Sequence, residues 1–115
     1  LELRCLYEGE RCRLIQFLEN LSEREMDKVF AYLEYIAEHG PPNNIEKYRK
    51  LRGVEELWEL KIARVRIIVF YARPDRMILA HGFKKRSRRT PPKEIARAER
   101  LRDDYFCERG INNED

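Results

Sequence analysis

The stretch Leu57-Trp58-Glu59-Leu60-Lys61-Ile62-Ala63-Arg64-Val65-Arg66-Ile67-Ile68-Val69-Phe70-Tyr71 decides the fold. Leu57, Trp58, Leu60 and Ile62 read as one strand. Val65, Ile67, Ile68, Val69, Phe70 and Tyr71 read as a second, because β-branched and aromatic side chains suit a pleated surface. Arg73-Pro74-Asp75-Arg76 then carries turn chemistry, the proline presetting φ and the aspartate able to bond its own backbone. Met77–Phe83 follows as a third strand, with Ile78 and Leu79 at its centre. Three strands joined by tight links predict an antiparallel meander.

Upstream the period changes from two to between three and four. Met26, Val29, Phe30, Leu33, Ile36 and Ala37 form one apolar helical stripe. Ser22 and Glu25 give a capping box at its start, and Gly40-Pro41-Pro42 stops it. Leu14, Phe17 and Leu18 share a face over 11–20, so 11–20 and 22–39 read as a helical hairpin with a very short turn. Residues 3–8 are a short first strand broken at Gly9. Residues 43–53 are a connector with a helical turn at 45–50.

Downstream, the run from Gly82 to Thr90 leaves the sheet as a basic loop. Thr90 is placed to cap a last helix, with Pro91 and Pro92 at its boundary. Ile95, Ala98, Leu101, Tyr105 and Phe106 recur along it, Gly110 closes it, and 112–115 read as a frayed tail. The expected class is α+β: an N-terminal helical hairpin packed on a small antiparallel sheet, made of the meander and the first strand, with a C-terminal helix. The helices are expected on one sheet face, the other staying partly open. The 115 residues are read as one domain, 1–115.

Charge points to a partner. Charged residues are 39% of the chain, against about 25% in ordinary globular proteins. Residues 61–102 hold fourteen Lys/Arg against three Asp/Glu, whereas 1–60 hold nine against thirteen. Positive charge gathered in one segment is the footprint of a polyanion partner, here nucleic acid. Hydropathy predicts no membrane span and no secretory leader. Cys5, Cys12 and Cys107, odd in number and without metal-ligand spacing, predict reduced thiols in the cytoplasm, no zinc and no cofactor.

No P-loop, G-x-S-x-G or H-E-x-x-H is present. His39 suits a helix C-terminus, where an imidazolium meets the negative end of the dipole. His81, at a strand end beside the basic loop, is a candidate acid or base. Arg64 and Arg66, two apart on one predicted strand, are expected on one sheet face. Lys84, Lys85 and Arg86 emerge from the neighbouring strand. Arginine forks grip phosphate oxygens, cations aimed at a phosphoryl-transfer transition state lower its barrier, and a crowded lysine can lose its proton and act as a base. That permits metal-free RNA cleavage, with the 2′-hydroxyl attacking the adjacent phosphate. A plain RNA-binding surface fits the same residues. Trp58 and Phe83 read as core.

Four ordered motifs carry a resemblance. Glu56-Leu57-Trp58-Glu59-Leu60-Lys61, Arg64–Tyr71, His81-Gly82-Phe83-Lys84-Lys85, and Thr90-Pro91-Pro92-Lys93-Glu94-Ile95 with Ala98 resemble the phage-derived HigB-type branch of the RelE/HigB-like toxins. Phe17-Leu18 in the helical hairpin fits as well. The resemblance covers nearly the whole chain. It implies a type II toxin that cleaves messenger RNA in the ribosomal decoding site and so inhibits translation. It also implies a cognate antitoxin, often of helix-turn-helix type. Matched by motif, Arg66 is the sheet arginine on the scissile phosphate, and Lys84 and Lys85 are the basic pair at the strand end. Lys61 and Arg64 are further RNA contacts, while Arg86, Arg88 and Arg89 grip ribosomal or messenger backbone. Some relatives end in a short tail bearing a catalytic tyrosine or histidine. Here a long helix stands instead, so Tyr105 reads as packed and the acid and base stay unassigned. A non-catalytic RNA- or ribosome-binding module and a phage accessory protein are the alternatives.

Overall fold

The computed structural model describes residues 1–111, with side chains to residue 108; the predicted frayed tail at 112–115 lies outside them. The chain runs β1 (Glu2–Cys5), α1 (Arg13–Leu18), α2 (Glu23–His39), β2 (Tyr48–Lys50), β3 (Trp58–Ile62), β4 (Val65–Arg73), β5 (Arg76–Lys84) and α3 (Pro92–Ile111). The spatial order is β1-β5-β4-β3-β2. The chain thus starts at one edge, crosses a face through α1 and α2, and enters the opposite edge at β2. The antiparallel meander β3–β4–β5 then brings it back beside β1, which pairs with β5 in parallel.

The second helix forms where its caps dictate. The Ser22 hydroxyl accepts from the Glu25 backbone N–H at 3.1 Å, and the Glu25 carboxylate accepts from the Ser22 N–H at 3.0 Å. The helix ends at Gly40, whose φ of 80° suits a residue without Cβ. His39 sits in the last turn, as expected, with its ring beside Tyr35. The first helix is shorter than the predicted 11–20. The third runs one residue past Gly110, which does not stop it.

Two expectations are corrected. Residues 48–50 are a strand rather than part of a helical turn. One turn forms at 45–47, where the Asn44 side chain accepts from the Glu46 N–H, and the chain then pairs with β3. The helices also do not share one face. Leu14, Leu18, Val29 and Ile36 of α1 and α2 pack on Leu60, Ile67, Val69, Met77 and Leu79. Ala98 and Leu101 of α3 cover Ile68, Phe70, Ile78 and Ala80 on the other side. Side chains of β4 alternate between these two cores. This is why the six residues Val65–Phe70 are all buried and read as an unbroken apolar run rather than an alternating one.

A bulge in β5 sets the direction of the side chains beyond it. Ile68 pairs with His81 but Val69 pairs with Leu79, so Ala80 is an extra residue. Such an insertion resets the alternation of the strand. Met77 and Leu79 face α1 and α2, while beyond the bulge His81 and Phe83 face α3. Gly82 is pressed against α1: a Cβ there would lie 2.8 Å from the Phe17 ring.

Candidate functional site

The α3 side of the sheet carries a charged cleft near the end of β5. Arg49 comes from β2, Glu59 and Lys61 from β3, Arg66 from β4, Phe83 from the end of β5 and Lys85 from just beyond it. Arg88, Arg89 and Thr90 close it from the basic loop. The strand register explains the gathering. Arg49 pairs with Glu59, Lys61 with Arg66, and Arg66 with Phe83, and paired residues share a face. Six cations therefore surround one carboxylate. The free space within is about 20 Å³, room for about one water. The space is too small to enclose a nucleotide.

Arg66 is only 8% exposed. Its Nη1 donates to the carbonyls of Ala63 at 2.7 Å and Val65 at 3.0 Å. These bonds hold the guanidinium at the β3–β4 turn, where Ala63 has a φ of 53°. Among the described residues both use Nη1, which leaves its other donors for an anion. Burial pushes Arg66 below its usual range, Glu59 opposes this and Arg49 adds to it; a guanidinium stays charged regardless. Burial likewise holds the Lys61 ammonium below the usual lysine range. Arg49, Arg66 and Lys85 push the same way and Glu59 opposes them. Arg49 Nε is buried without a hydrogen-bond partner among the described residues, a donor that a bound anion would satisfy.

Glu59 is 2% exposed. It accepts from Thr90 Oγ1 at 2.8 Å, and Arg49 Nη2 stands 3.5 Å away. Thr90 therefore does not cap α3; the carbonyl of Pro91 begins the helix by accepting from Glu94 and Ile95. Sequence reading missed Arg49, because β2 was not expected. It also missed Glu59, although a carboxylate two residues from Lys61 on a strand shares its face.

The other candidate residues are spread more widely. Arg64 lies exposed in the turn between β3 and β4, not on a strand, and its carbonyl accepts from the Lys85 N–H at 2.7 Å. Lys84 points to the opposite face, 3.2 Å from Glu25 of α2. Arg86 lines a separate groove with Phe17, Asn20 and Lys84. His81 is 2% exposed, outside the cleft and enclosed between β5 and α3. Its Nε2 lies 3.0 Å from the Glu94 carbonyl and its Nδ1 3.7 Å from the Glu94 carboxylate.

Burial lowers the His81 pKa from 6.5, more than the Glu94 carbonyl and carboxylate raise it; Arg97 and Arg13 lower it further. The folded chain thus takes up this proton less readily than the unfolded chain. The resulting stability is present above the unfolded pKa and is lost as pH falls below it. Denaturant midpoints should drop between about pH 7.5 and about pH 5.5, and His81→Asn should remove most of that drop. Equal pH dependence in the variant would mean that His81 is not the titrating group.

A family model for "Phage derived protein Gp49-like" matches residues 16–103, a range that contains every residue of the cleft. A chain in the RelB–RelE antitoxin–toxin complex from Methanococcus jannaschii superposes with a TM-score of 0.55 at 10% identity, over 73% of this chain and 89% of that one. A chain in the archaeal RelE–RelB complex from Pyrococcus horikoshii OT3 gives 0.57 at 13% identity, over 76% and 97%. No curated protein sequence matches. At such identities the structural likeness carries the fold, which is the fold that the sequence resemblance implied. No helix among the described residues is long and apolar enough to cross a membrane.

Proposed function

The chain belongs to the phage-derived Gp49-like family, and from that premise we propose that it is the toxin of a type II toxin–antitoxin pair, a ribosome-dependent messenger RNA endoribonuclease acting in the cytoplasm. The observation that carries the reading is the cleft itself: a buried, backbone-anchored arginine with five further cations gathered around it on one sheet face. Arg66 grips the non-bridging oxygens of the scissile phosphate in a fork, where charge grows in the transition state. Lys61, whose surroundings favour loss of its proton, takes the proton of the RNA 2′-hydroxyl. That oxygen attacks the adjacent phosphorus, and the bond to the leaving 5′-oxygen breaks. Lys85, protonated, supplies the proton to that oxygen. Arg88 and Arg89 hold flanking phosphates, while Arg64 and Arg86, outside the cleft, contact the backbone of the ribosome or the messenger.

An antitoxin, of helix-turn-helix type, masks this basic face with acidic and apolar surface. The RelE–RelB pairs that share the fold support such a partner. Induced expression in a bacterial host tests the whole reading. The expected result is growth arrest with new transcript ends inside translated frames. Normal growth and intact transcripts, with soluble protein present, would reject cleavage and leave an RNA-binding module.

A further inference from the structure

The buried carboxylate in a site built for anions is unexplained by phosphate binding. Glu59 stands where an incoming phosphate would be repelled, and its register partner on β4 is Ile68, so an apolar side chain would suit that position. A carboxylate enclosed in this way is costly unless it is paired and hydrogen-bonded. It has both: the Thr90 hydroxyl at 2.8 Å and the Arg49 guanidinium at 3.5 Å. Its two partners come from opposite sides, Arg49 from the edge strand β2 and Thr90 from the loop that carries Arg88 and Arg89.

We propose that Glu59 is a positioning residue of this site: it latches the basic loop over the sheet through Thr90 and keeps the surrounding cations gathered on one face. Without the carboxylate, Arg49, Lys61, Arg66 and Lys85 would repel one another across a neutral residue. The 85–91 segment would also lose a side-chain tie to the sheet. The role in catalysis rests on the cleavage reading, but the positioning role has signatures that need no catalysis.

The groups that face Lys61 are Arg49 of β2, Glu59 of its own strand, Arg66 of β4 and Lys85 beyond β5. Glu59 alone among them favours the charged ammonium. The Lys61 side chain, isotope-labelled and assigned by Lys61→Arg, can be titrated by NMR in the wild type and in Glu59→Gln. The expected result is a lower midpoint in Glu59→Gln; an unchanged midpoint would overturn the electrostatic half of the proposal. A labelled RNA oligonucleotide with 2′-deoxy substitution, which cannot be cut, reads the latch. Thr90→Val should bind it about tenfold more weakly, the loss of one charge-assisted hydrogen bond, and Thr90→Ser should restore binding. Equal binding by Thr90→Val would overturn the latch. If Glu59→Gln does not fold, the Thr90 pair still decides. A wild type that binds this RNA and titrates as expected, yet causes no arrest, would remove the cleavage reading and leave the role of Glu59 standing.

Discussion

Arg66→Ala is expected to slow messenger cleavage by about 10²–10³-fold, the cost of removing one preorganised donor aimed at developing charge. The large effect follows from how the side chain is held. Two backbone carbonyls fix Nη1, so the fork is set before any anion arrives and binding one there would lose little entropy. Arg66→Lys should recover only part of the rate, because one ammonium cannot hold the turn and clamp two phosphate oxygens at once. The measurement is single-turnover cleavage of a defined messenger on ribosomes, beside a denaturant curve for each protein. A folded Arg66→Ala that cuts at the wild-type rate would move the active site elsewhere.

The largest loss of stability is expected from Phe70→Ala, about 3–5 kcal/mol by large-to-small precedent in cores. Phe70 lies in the middle of β4, fully buried, with its ring 5.5 Å from Tyr105 and 5.6 Å from Phe106. These rings join α3 to the sheet, which confirms Tyr105 as a packed residue. Small domains hold about 5–15 kcal/mol in all, so this one ring accounts for a large share. Guanidinium unfolding measures the loss directly. A change below about 1 kcal/mol would mean that α3 is not docked through this cluster.

The meander was legible because Trp58–Ile62 and Val65–Tyr71 carry strand residues on both sides of a short link. The helix at 23–39 was legible because Ser22, Glu25 and Gly40 mark its ends. The two-faced sheet was visible in principle. Ile67, Ile68, Val69 and Phe70 in succession leave no polar face for solvent, and that signal outweighs the general habit of antiparallel sheets. Tyr48–Lys50 could not be read as a strand from three residues with no alternation of their own, because its pairing with β3 is a tertiary fact. Of the candidate site, Arg66, Lys61, Lys85, Arg88 and Arg89 were foreseen as charges and do meet. Arg49 followed the missed strand out of sight, and Thr90 was given a local duty when its hydroxyl serves a residue 31 positions away.

Ala80 has a consequence for how such chains diverge. Which lysine of the Lys84-Lys85 pair faces the cleft is not written in either lysine; it is set by the bulge upstream at Ala80. Were β5 to pair with β4 without the bulge and still keep Ala80, every residue beyond it would turn to the other face, sending Lys84 into the cleft and Lys85 toward α2, with the pair itself unaltered. Two lineages can therefore share the same dipeptide and use opposite members of it. Homology at this position is a matter of strand phase, and aligned letters alone do not establish it.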